Sequence, residues 1–324
     1  MKSNLIISLI LGLSMLLCPV AAFGKSGKNH APAESKAVIS ENTDEYISVL
    51  ASSDSSISRV GIREYLIGCV AAEMPANYHS QALSAQAVAS YTYAKRIMKN
   101  NSESKKTLFS GADITDDTGT HQGYLNKNAR KELWGDKFDE YEQKISAAVD
   151  EVLGAYISFE GDYALSVYHS ISSGRTASAK SLWGSDIPYL SGIESPGDKL
   201  SPDYISESYF TESEFRTAAE KAGISVSGDA DEWIGKIVTA DGGYAEKITV
   251  CGTEIGGAVF REAFSLKSTA FDITYSDGKF KITCKGHGHG VGMSQYGADY
   301  MARQGSSWRE ILMHYYPETE IIEP

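Results

Sequence analysis

One acidic residue, Glu73, lies alone in an otherwise apolar part of the sequence. It is the only acid in residues 65–80, and its neighbours include Val70, Ala71 and Met74. Apolar neighbours disfavour the charged form of a carboxyl group, so its pKa rises. A carboxyl that keeps its proton near neutral pH can act as a general acid, for example in cleaving a glycosidic bond. A solvated glutamate at the end of a helix is the other interpretation of this spacing.

Two histidines, His287 and His289, alternate with glycines in GHGHGVGMSQYGA (286–298). Residues two apart on a strand share a face, so the pair could bind a metal. A metal site needs further ligands, and the sequence has no HExxH or CxxC motif to supply them. Together with His169, in VYHSISSGRT, the pair forms one alternative, a metallohydrolase. The glycines at 286, 288, 290 and 292 instead predict a strand that other backbone or a glycan approaches closely.

The helices that position these residues are predicted from periodicity and breakers. Residues 62–73 have apolar positions at helical spacing, and Pro75 disfavours helix just before it, so this helix should end at Glu73. Ser80 is expected to cap the Ala-rich helix that follows. Residues 138–152 have the spacing of a third, amphipathic helix.

Strands are predicted after residue 154. A hairpin is expected across Gly161-Asp162, whereas residues 176–232 have few strand signals and one short helix, TESEFRTAAEKAG. Ser294 and Ser307 should start two final helices. Four further segments read as strands, the last two joined across residues 276–278: IGKIVTA, YAEKITV, AFDITY and KFKITC. Helices and hairpins in blocks predict an α+β fold, with one main domain and a smaller inserted lobe.

The N-terminus indicates export. Residues 1–23 predict a secretory signal or an N-terminal membrane anchor, since an apolar run of about twenty residues follows Lys2. Residues 24–43 are polar, as in a flexible spacer. Residues 44–324 would then form the working domain outside the cytoplasm, with a smaller lobe at about 198–235.

Charge and cysteine content exclude some classes of protein. The net charge of −12 argues against a nucleic-acid partner, because such proteins usually have a basic surface. Outside the export segment there are three cysteines without CxxC spacing, which is neither a disulfide framework nor a zinc cluster. Either Cys251 and Cys284 form one bridge or the thiols are isolated.

Three blocks, in order, resemble one known family. They are YLIGCVAAEMPANYHSQALSAQAVASYTYAKR (65–96), VYHSISSGRTASAKSLWGSDIPYLSGIESPGD (167–198) and GHGHGVGMSQYGADYMARQG (286–305), the last followed by ILMHYYP (311–317). They are similar to the stage II sporulation protein D family, which also includes amidase enhancer proteins.

The resemblance implies a membrane-anchored lytic transglycosylase that acts on peptidoglycan during engulfment in sporulating bacteria, without a cofactor. The family's catalytic acid corresponds to Glu73. It would protonate the oxygen between N-acetylmuramic acid and N-acetylglucosamine and then act as base, while the muramic acid's own 6-hydroxyl forms a 1,6-anhydro sugar. Because the nucleophile belongs to the substrate, one carboxyl can suffice.

The resemblance also implies contacts and partners. The candidate substrate-binding residues are Tyr91, Gln122, His169, Arg175, His289 and Gln295. The expected partners are peptidoglycan glycan strands, a wall amidase and a membrane protein of the engulfment complex. A non-enzymatic peptidoglycan-binding enhancer of a wall amidase is the main alternative.

Two departures from the family pattern stand out. Tyr91 occupies the position before Thr-Tyr where the family commonly has arginine, and could stack on a sugar ring. Thr115 and His121 align with a cysteine pair that holds zinc in some members, so no structural zinc is predicted. Gln122 and Tyr124 remain and are expected to line the glycan groove.

Overall fold

The computed structural model describes residues 45–104 and 111–324. The predicted export segment and spacer, residues 1–43, lie outside the described residues. Within the ranges described, no helix combines the length and the apolar character needed to span a membrane.

Helices and strands follow each other in blocks. The helices are α1 (Ile62–Glu73), α2 (Ser80–Ser104), α3 (Lys127–Trp134), α4 (Phe138–Val152), α5 (Ala179–Trp183), α6 (Glu212–Lys221), α7 (Gly257–Ala263), α8 (Gln295–Arg303) and α9 (Trp308–Tyr315). The strands are β1 (Tyr46–Leu50), β2 (Ile57–Gly61), β3 (Ile114–Thr115), β4 (Tyr156–Phe159), β5 (Asp162–Tyr163), β6 (Tyr168–His169), β7 (Ile205–Thr211), β8 (Ile234–Thr239), β9 (Ala245–Val250), β10 (Thr253–Gly256), β11 (Phe271–Ser276), β12 (Lys279–Lys285), β13 (Met293–Ser294) and β14 (Glu320–Ile322).

The strands form small sheets, with orders β2-β1-β3, β14-β4-β5, β13-β6, β10-β9-β8 and β11-β12-β7. The β1–β3 and β13–β6 pairs are parallel, and the others are antiparallel. The predicted α+β class is confirmed.

The first helix ends where the sequence predicts. Helix α1 stops at Glu73 because Met74, which precedes Pro75, is extended at φ −121° and ψ 142°. The next helix differs by one residue at its start. Its first turn is capped by His79, whose Nδ1 accepts from the N–H of Gln81 at 3.3 Å, so Ser80 is the first helical residue and not the cap.

A hydrophobic core lies around α2, which packs against α1, α4, α8 and α9. Ala85, Val88 and Ala89 of α2 are fully buried in it. Small alanine side chains let the surrounding helices approach α2 closely, which explains why an Ala-rich helix lies at the centre. This core carries the C-terminal end of α1, and therefore Glu73.

The predicted hairpin after residue 154 exists, but its turn is shifted by one residue. Phe159 pairs with Asp162, so the two turn residues are Glu160 and Gly161, with φ of 52° and 80°. Two positive φ angles are typical of a type I′ turn, which matches the twist of the strands. The Gly161-Asp162 turn was therefore wrong by one position.

A second hydrophobic cluster is built from residues 215–284. Phe215, Trp233 and Phe280 meet at its centre, with ring centroids of Phe215 and Phe280 4.2 Å apart. Strand β7 lies within the segment in which few strand signals were recognised. Its sequence ISESYFT does alternate, and β7 pairs with β12 along its whole length.

The three cysteines of the described residues are free thiols, with Cys69 and Cys284 buried. The Cys251–Cys284 bridge considered from the sequence is therefore wrong.

Candidate active site

Glu73 ends α1 at a point where the chain turns away from the helix. Its Oε1 accepts a hydrogen bond from the backbone N–H of Gly123 at 2.6 Å. Glu73 as a whole residue is partly exposed. The loop before α3 thus supplies a fixed donor to one carboxylate oxygen.

The rest of the Glu73 surroundings is neutral. Burial raises the pKa of Glu73, and hydrogen bonding by Gly123, Gln295 and Tyr168 offsets part of this rise by stabilising the carboxylate. Among the residues that the structure describes, no cation pairs with Glu73 in any of the ion pairs found. The Glu73 carboxyl therefore keeps its proton to a higher pH than an exposed glutamate does.

Gln122 is held in one orientation. Its Nε2 donates to the Tyr65 hydroxyl at 2.8 Å and to the Ser90 carbonyl at 3.1 Å. Its Oε1 accepts from the Tyr168 hydroxyl at 3.0 Å. Gln122 is buried, and these contacts connect α1, α2 and β6 behind Glu73.

Gln295 reaches Glu73 from the first turn of α8. Ser294 caps this helix, as predicted, and accepts from the N–H of Gly297 at 3.2 Å. The Nε2 of Gln295 also donates to Oε1 of Gln86 at 3.3 Å. The start of α8 therefore faces α1 and α2.

The position of Ser294 depends on a buried acid, Asp198. This carboxylate accepts from the Ser294 hydroxyl at 2.8 Å, from the Ser172 N–H at 3.0 Å and from the Ser172 hydroxyl. Burial raises the pKa of Asp198, and these hydrogen bonds lower it. One carboxylate thus joins the chain after β6, the residues before β7 and the start of α8.

Residues 286–292 do not form the predicted strand. Their four glycines all have positive φ, from 74° to 112°, and the segment makes single bridges to Ile171, Ala177 and Ser268. Close approach of other backbone is confirmed. A Cβ on Gly292 would lie 2.0 Å from the carbonyl oxygen of Val167, and one on Gly286 would lie 2.5 Å from that of Ile171.

His169 and His289 face each other with ring centroids 5.7 Å apart. The Nδ1 of His169 lies 3.0 Å from the carbonyl oxygen of Val291, and the Val291 N–H donates to Nδ1 of His289 at 3.1 Å. Burial lowers the pKa of His169 to about 4 and that of His289 well below its ordinary value, so both are neutral at pH 7.

The histidine pair contacts Trp183 and the backbone of Val291. Tyr168 reaches Glu73, whereas the next residue, His169, contacts the 286–292 segment, as expected for consecutive strand residues. The predicted substrate-binding roles of His169 and His289 remain predictions. Over residues 45–104 and 111–324, no three His, Cys, Asp or Glu side chains are arranged to hold a metal ion.

Tyr91 and Arg175 contact other parts of the chain. The Tyr91 hydroxyl donates to Glu45 at 3.0 Å, on a different face of α2 from Ser90. Arg175 pairs with Glu194 and donates to the Gly192 carbonyl at 2.8 Å. The structure therefore brings together Glu73, Gln122 and Gln295. Tyr91 and Arg175 instead contact other parts of the chain.

The two positions aligned with the zinc-binding cysteines touch each other. The N–H of Thr115 donates to Nδ1 of His121 at 3.1 Å. Burial lowers the pKa of His121 to about 4, so it accepts this bond as a neutral ring.

Three residues of the site were not singled out in the sequence: Gly123, Tyr168 and Asp198. Tyr168 and Asp198 lie inside the central block, but their types alone do not distinguish them from the other tyrosines and acids there. Their roles depend on contacts with residues 46 and 96 positions away in the chain.

Comparison with known proteins finds related sequences over most of the chain. A family model described as "Stage II sporulation protein" matches residues 51–159. The chain is 37% identical to stage II sporulation protein D of Bacillus amyloliquefaciens, covering 86% of this chain and 78% of that protein. It is 35% identical to stage II sporulation protein D of Bacillus subtilis, over 86% of this chain and 79% of the relative. It is 27% identical to an amidase enhancer of Bacillus subtilis, over 79% of this chain and 40% of that protein.

Proposed function

The chain belongs to the stage II sporulation protein D family, and on that premise we propose that it is a sporulation protein acting as a lytic transglycosylase on peptidoglycan. The observation that carries this proposal is the setting of Glu73. Its carboxyl has a raised pKa and neutral hydrogen-bond donors, and the residue is partly exposed. Such a group can hold a proton near neutral pH and deliver it to a bound glycan.

The first step is proton transfer to the glycosidic oxygen. Oε1 of Glu73 accepts from Gly123, so the acidic proton resides on Oε2. Transfer of that proton lets the bond between N-acetylmuramic acid and N-acetylglucosamine break. The resulting carboxylate is stabilised by the donors that surround it, Gly123, Gln295 and Tyr168.

In the second step, Glu73 recovers a proton. The 6-hydroxyl of the muramic acid attacks its own anomeric carbon and gives its proton to the Glu73 carboxylate. The product is a 1,6-anhydro sugar, water is not consumed, and the enzyme returns to its starting state. One carboxyl serves as acid and then as base, which suits a site where Glu73 is surrounded by amides, a hydroxyl and a backbone N–H.

The test uses glycan strands from which the stem peptides have been removed. We expect the purified protein to release 1,6-anhydro products detectable by mass spectrometry. Glu73→Gln should lower the rate at least 100-fold, because it removes the transferable proton and keeps the shape. Gln86→Glu is not a suitable control, since Gln86 contacts Gln295. Asp150→Asn is suitable, because this exposed acid pairs only with Arg63 among the described residues.

Two results would contradict the proposal. One is full product release by Glu73→Gln, provided that the variant unfolds cooperatively and is at least as stable as the wild type. The other is release of products with a free reducing end and no anhydro sugar, which would indicate hydrolysis.

A second candidate function rests on the similarity to an amidase enhancer. A non-enzymatic wall-binding protein would bind purified sacculi and accelerate amide cleavage by an added amidase, without releasing sugar products. Glu73→Gln would leave that stimulation unchanged. The two candidates are therefore separated by the same variant in two assays.

We further propose that the protein works outside the cytoplasm, held by its N-terminal segment, with a wall amidase and a membrane protein of the engulfment complex as partners. Separation of membranes from soluble extracts, with and without residues 1–23, tests the anchor. Capture of the two partners from cross-linked sporulating cells tests the complex.

A further inference from the structure

The segment 122–125, which carries the N–H that binds Glu73, lies along α1. Gly123 donates to Oε1 of Glu73, the last residue of α1, at 2.6 Å. Two residues later, the Leu125 N–H donates to the carbonyl oxygen of Gly68 at 3.2 Å. The helix rises by about 7.5 Å between positions 68 and 73, and two extended residues span about 7 Å. The segment therefore has little slack between its two bonds, so a displacement at Gly68 reaches Gly123.

Gly68 lets this segment approach the helix closely. A Cβ on Gly68 would lie 2.4 Å from the ring of Tyr124 and 2.6 Å from the carbonyl oxygen of Leu125. The second of these atoms belongs to the backbone, so an added methyl group must displace the segment. The approach is also close at the other end, where a Cβ on Gly123 would lie 3.1 Å from the Cβ of Ala72. Glycine at both places thus allows a contact that a larger residue would prevent.

Arg130 of α3 holds the far end of the segment. Its Nη1 donates to the Leu125 carbonyl oxygen at 2.8 Å. The same guanidinium donates to Glu64 in the first turn of α1 at 2.8 Å, and to both carboxylate oxygens of Glu142 in α4 at 2.7 and 2.8 Å. Arg130 is fully buried, and these three partners fix the orientation of its planar fork. The segment is thereby tied to α1 and α4 through Arg130 as well as to Gly68.

We propose that Gly68 and Arg130 are positioning residues for Glu73, which keep the Gly123 N–H on the carboxyl through both steps of the reaction. This inference rests on the proposed function, because a fixed donor at Oε1 matters for catalysis only if Glu73 is charged after it has given up its proton. The donor stabilises that charge without rearrangement, since the segment is already in place when the proton leaves. Both residues act through the 122–125 segment.

Two titratable side chains, Cys69 of α1 and Tyr168 of β6, interact with the charge of Glu73. Burial raises the pKa of both, so they are neutral at pH 7. Among the residues that the structure describes, Glu73 takes part in none of the ion pairs found. A change in the titration of Glu73 therefore reports a change in its hydrogen bonding.

Gly68→Ala tests the proposal where the segment meets α1. Displacing the Gly123 N–H takes a donor from the Glu73 carboxylate, so Glu73 should titrate at higher pH than in the wild type. The alkaline limb of the pH–rate profile should move in the same direction, with kcat lower by about tenfold and KM little changed. The titration is read without substrate, by difference infrared spectroscopy of the carboxyl stretch with Glu73→Gln as the blank. Gly61→Ala is the matched control, because this glycine precedes the same helix and nothing lies within 4 Å of a Cβ placed on it.

Arg130→Lys tests the other anchor. Lysine keeps the positive charge beside the two acids, but it lacks the planar fork that binds the segment's carbonyl together with both carboxylates. Glu73 should again titrate at higher pH. Arg63→Lys is the control, since the fork of Arg63 pairs with Asp150 on the surface, and its loss should not move the Glu73 titration.

Hydrogen exchange of the Gly123 amide gives a direct measurement that needs no variant. In the wild type, NMR should show this amide exchanging as slowly as the amide of a buried helical residue, because its bond to Glu73 is held at both ends of the segment. In Gly68→Ala the exchange should be faster. Fast exchange of the Gly123 amide in the wild type would overturn the proposal.

Titration at higher pH in Gly68→Ala and Arg130→Lys, but not in Gly61→Ala and Arg63→Lys, supports the proposal. An unchanged titration in folded Gly68→Ala, or an equal shift in the controls, overturns it. If Gly68→Ala does not fold, the titration in Arg130→Lys decides. Titration and exchange need no substrate, so a wild type that releases no anhydro sugar would refute the proposed function without deciding this inference.

Discussion

Glu73 lies in an apolar setting, yet the proposed mechanism requires its carboxyl to be charged for part of each turnover. Because burial raises its pKa, the charged form is less stable in the folded protein than in the unfolded chain. The destabilisation is absent below the unfolded pKa of about 4.3 and complete above the folded pKa. The residue proposed to do the chemistry therefore lowers the stability of the fold at neutral pH.

Glu73→Gln should accordingly raise the free energy of unfolding at pH 7.5, by about 1 kcal/mol. The gain should largely disappear at pH 4, where the carboxyl is protonated in the folded state and mostly protonated in the unfolded chain. Urea unfolding at the two pH values measures it. Equal stability at pH 7.5, or a gain that persists at pH 4, would show that Glu73 is solvated like a surface acid.

At the same scale, the apolar neighbours of Glu73 were visible in the sequence and predicted a raised pKa; burial is the main cause of that rise in the structure. Tyr168 could not be found in this way. The role of its hydroxyl depends on Gln122 and Glu73, which are distant in sequence. No local sequence pattern marks a tyrosine at a strand end as making such contacts.

At the scale of elements, the start of α8 depends on Asp198 as well as on its own cap, Ser294. Asp198 is fully buried, and its removal leaves the Ser172 N–H and the Ser294 hydroxyl without this acceptor. The first residue of α8, Gln295, would then lose its fixed position beside Glu73.

Asp198→Ala should therefore lower the free energy of unfolding by about 3 kcal/mol, because buried donors are left unsatisfied. Thermal or urea unfolding measures it. Asp272→Ala is the matched control, since that carboxyl is 72% exposed in its pair with Lys285 and should contribute less than about 1 kcal/mol. Similar losses in the two variants would contradict the structural role of Asp198.

The glycine segment 286–292 gives a second prediction at this scale. Gly292→Ala places a Cβ 2.0 Å from the Val167 carbonyl oxygen, which is backbone and cannot move away cheaply. We expect a loss of more than about 3 kcal/mol, from overpacking together with the strained φ. Gly278→Ala is the control, because its φ of 73° nearly equals the 74° of Gly292 but nothing lies within 4 Å of its Cβ.

A loss of about 1–2 kcal/mol in Gly278→Ala alone would reflect backbone strain. If Gly292→Ala lost no more than this, close packing would not be the reason for glycine there.

The helices and strands show which elements local sequence signals can predict and which they cannot. Helices α1, α4 and α9 were predicted well because Pro75, the amphipathic spacing of 138–152 and Ser307 act locally. The 286–292 segment was mistaken for a strand because alternate glycines are compatible with an extended chain. Their positive φ angles follow from neighbours contributed by distant segments, which no local pattern reveals.

At the scale of the whole molecule, the buried residues form two separate hydrophobic clusters. The first contains the helices around Glu73, and the second contains the aromatic residues between 215 and 284. The second cluster includes residues of the smaller lobe predicted at about 198–235, and that division of the chain stays a prediction.

Phe280→Ala tests this division. Phe280 is fully buried against Phe215 and Trp233, so its truncation should lower the free energy of unfolding by about 4 kcal/mol. Below the unfolding transition, release of anhydro products should stay near the wild-type rate. A large loss of rate in folded Phe280→Ala would show that the second cluster takes part in the site.

The 286–292 segment also has a consequence for the order of folding. Its backbone bonds go to separate places: His287 exchanges bonds with Ile171, Gly288 donates to Lys267, and Gly290 accepts from Ala177. Glycine loses more conformational freedom than other residues when it is ordered, and the segment has no regular ladder of its own to offset this. Two of these partners, Ile171 and Ala177, lie more than a hundred residues away in the chain and must be in place first. The segment should therefore be among the last parts of the chain to become protected from hydrogen exchange during refolding.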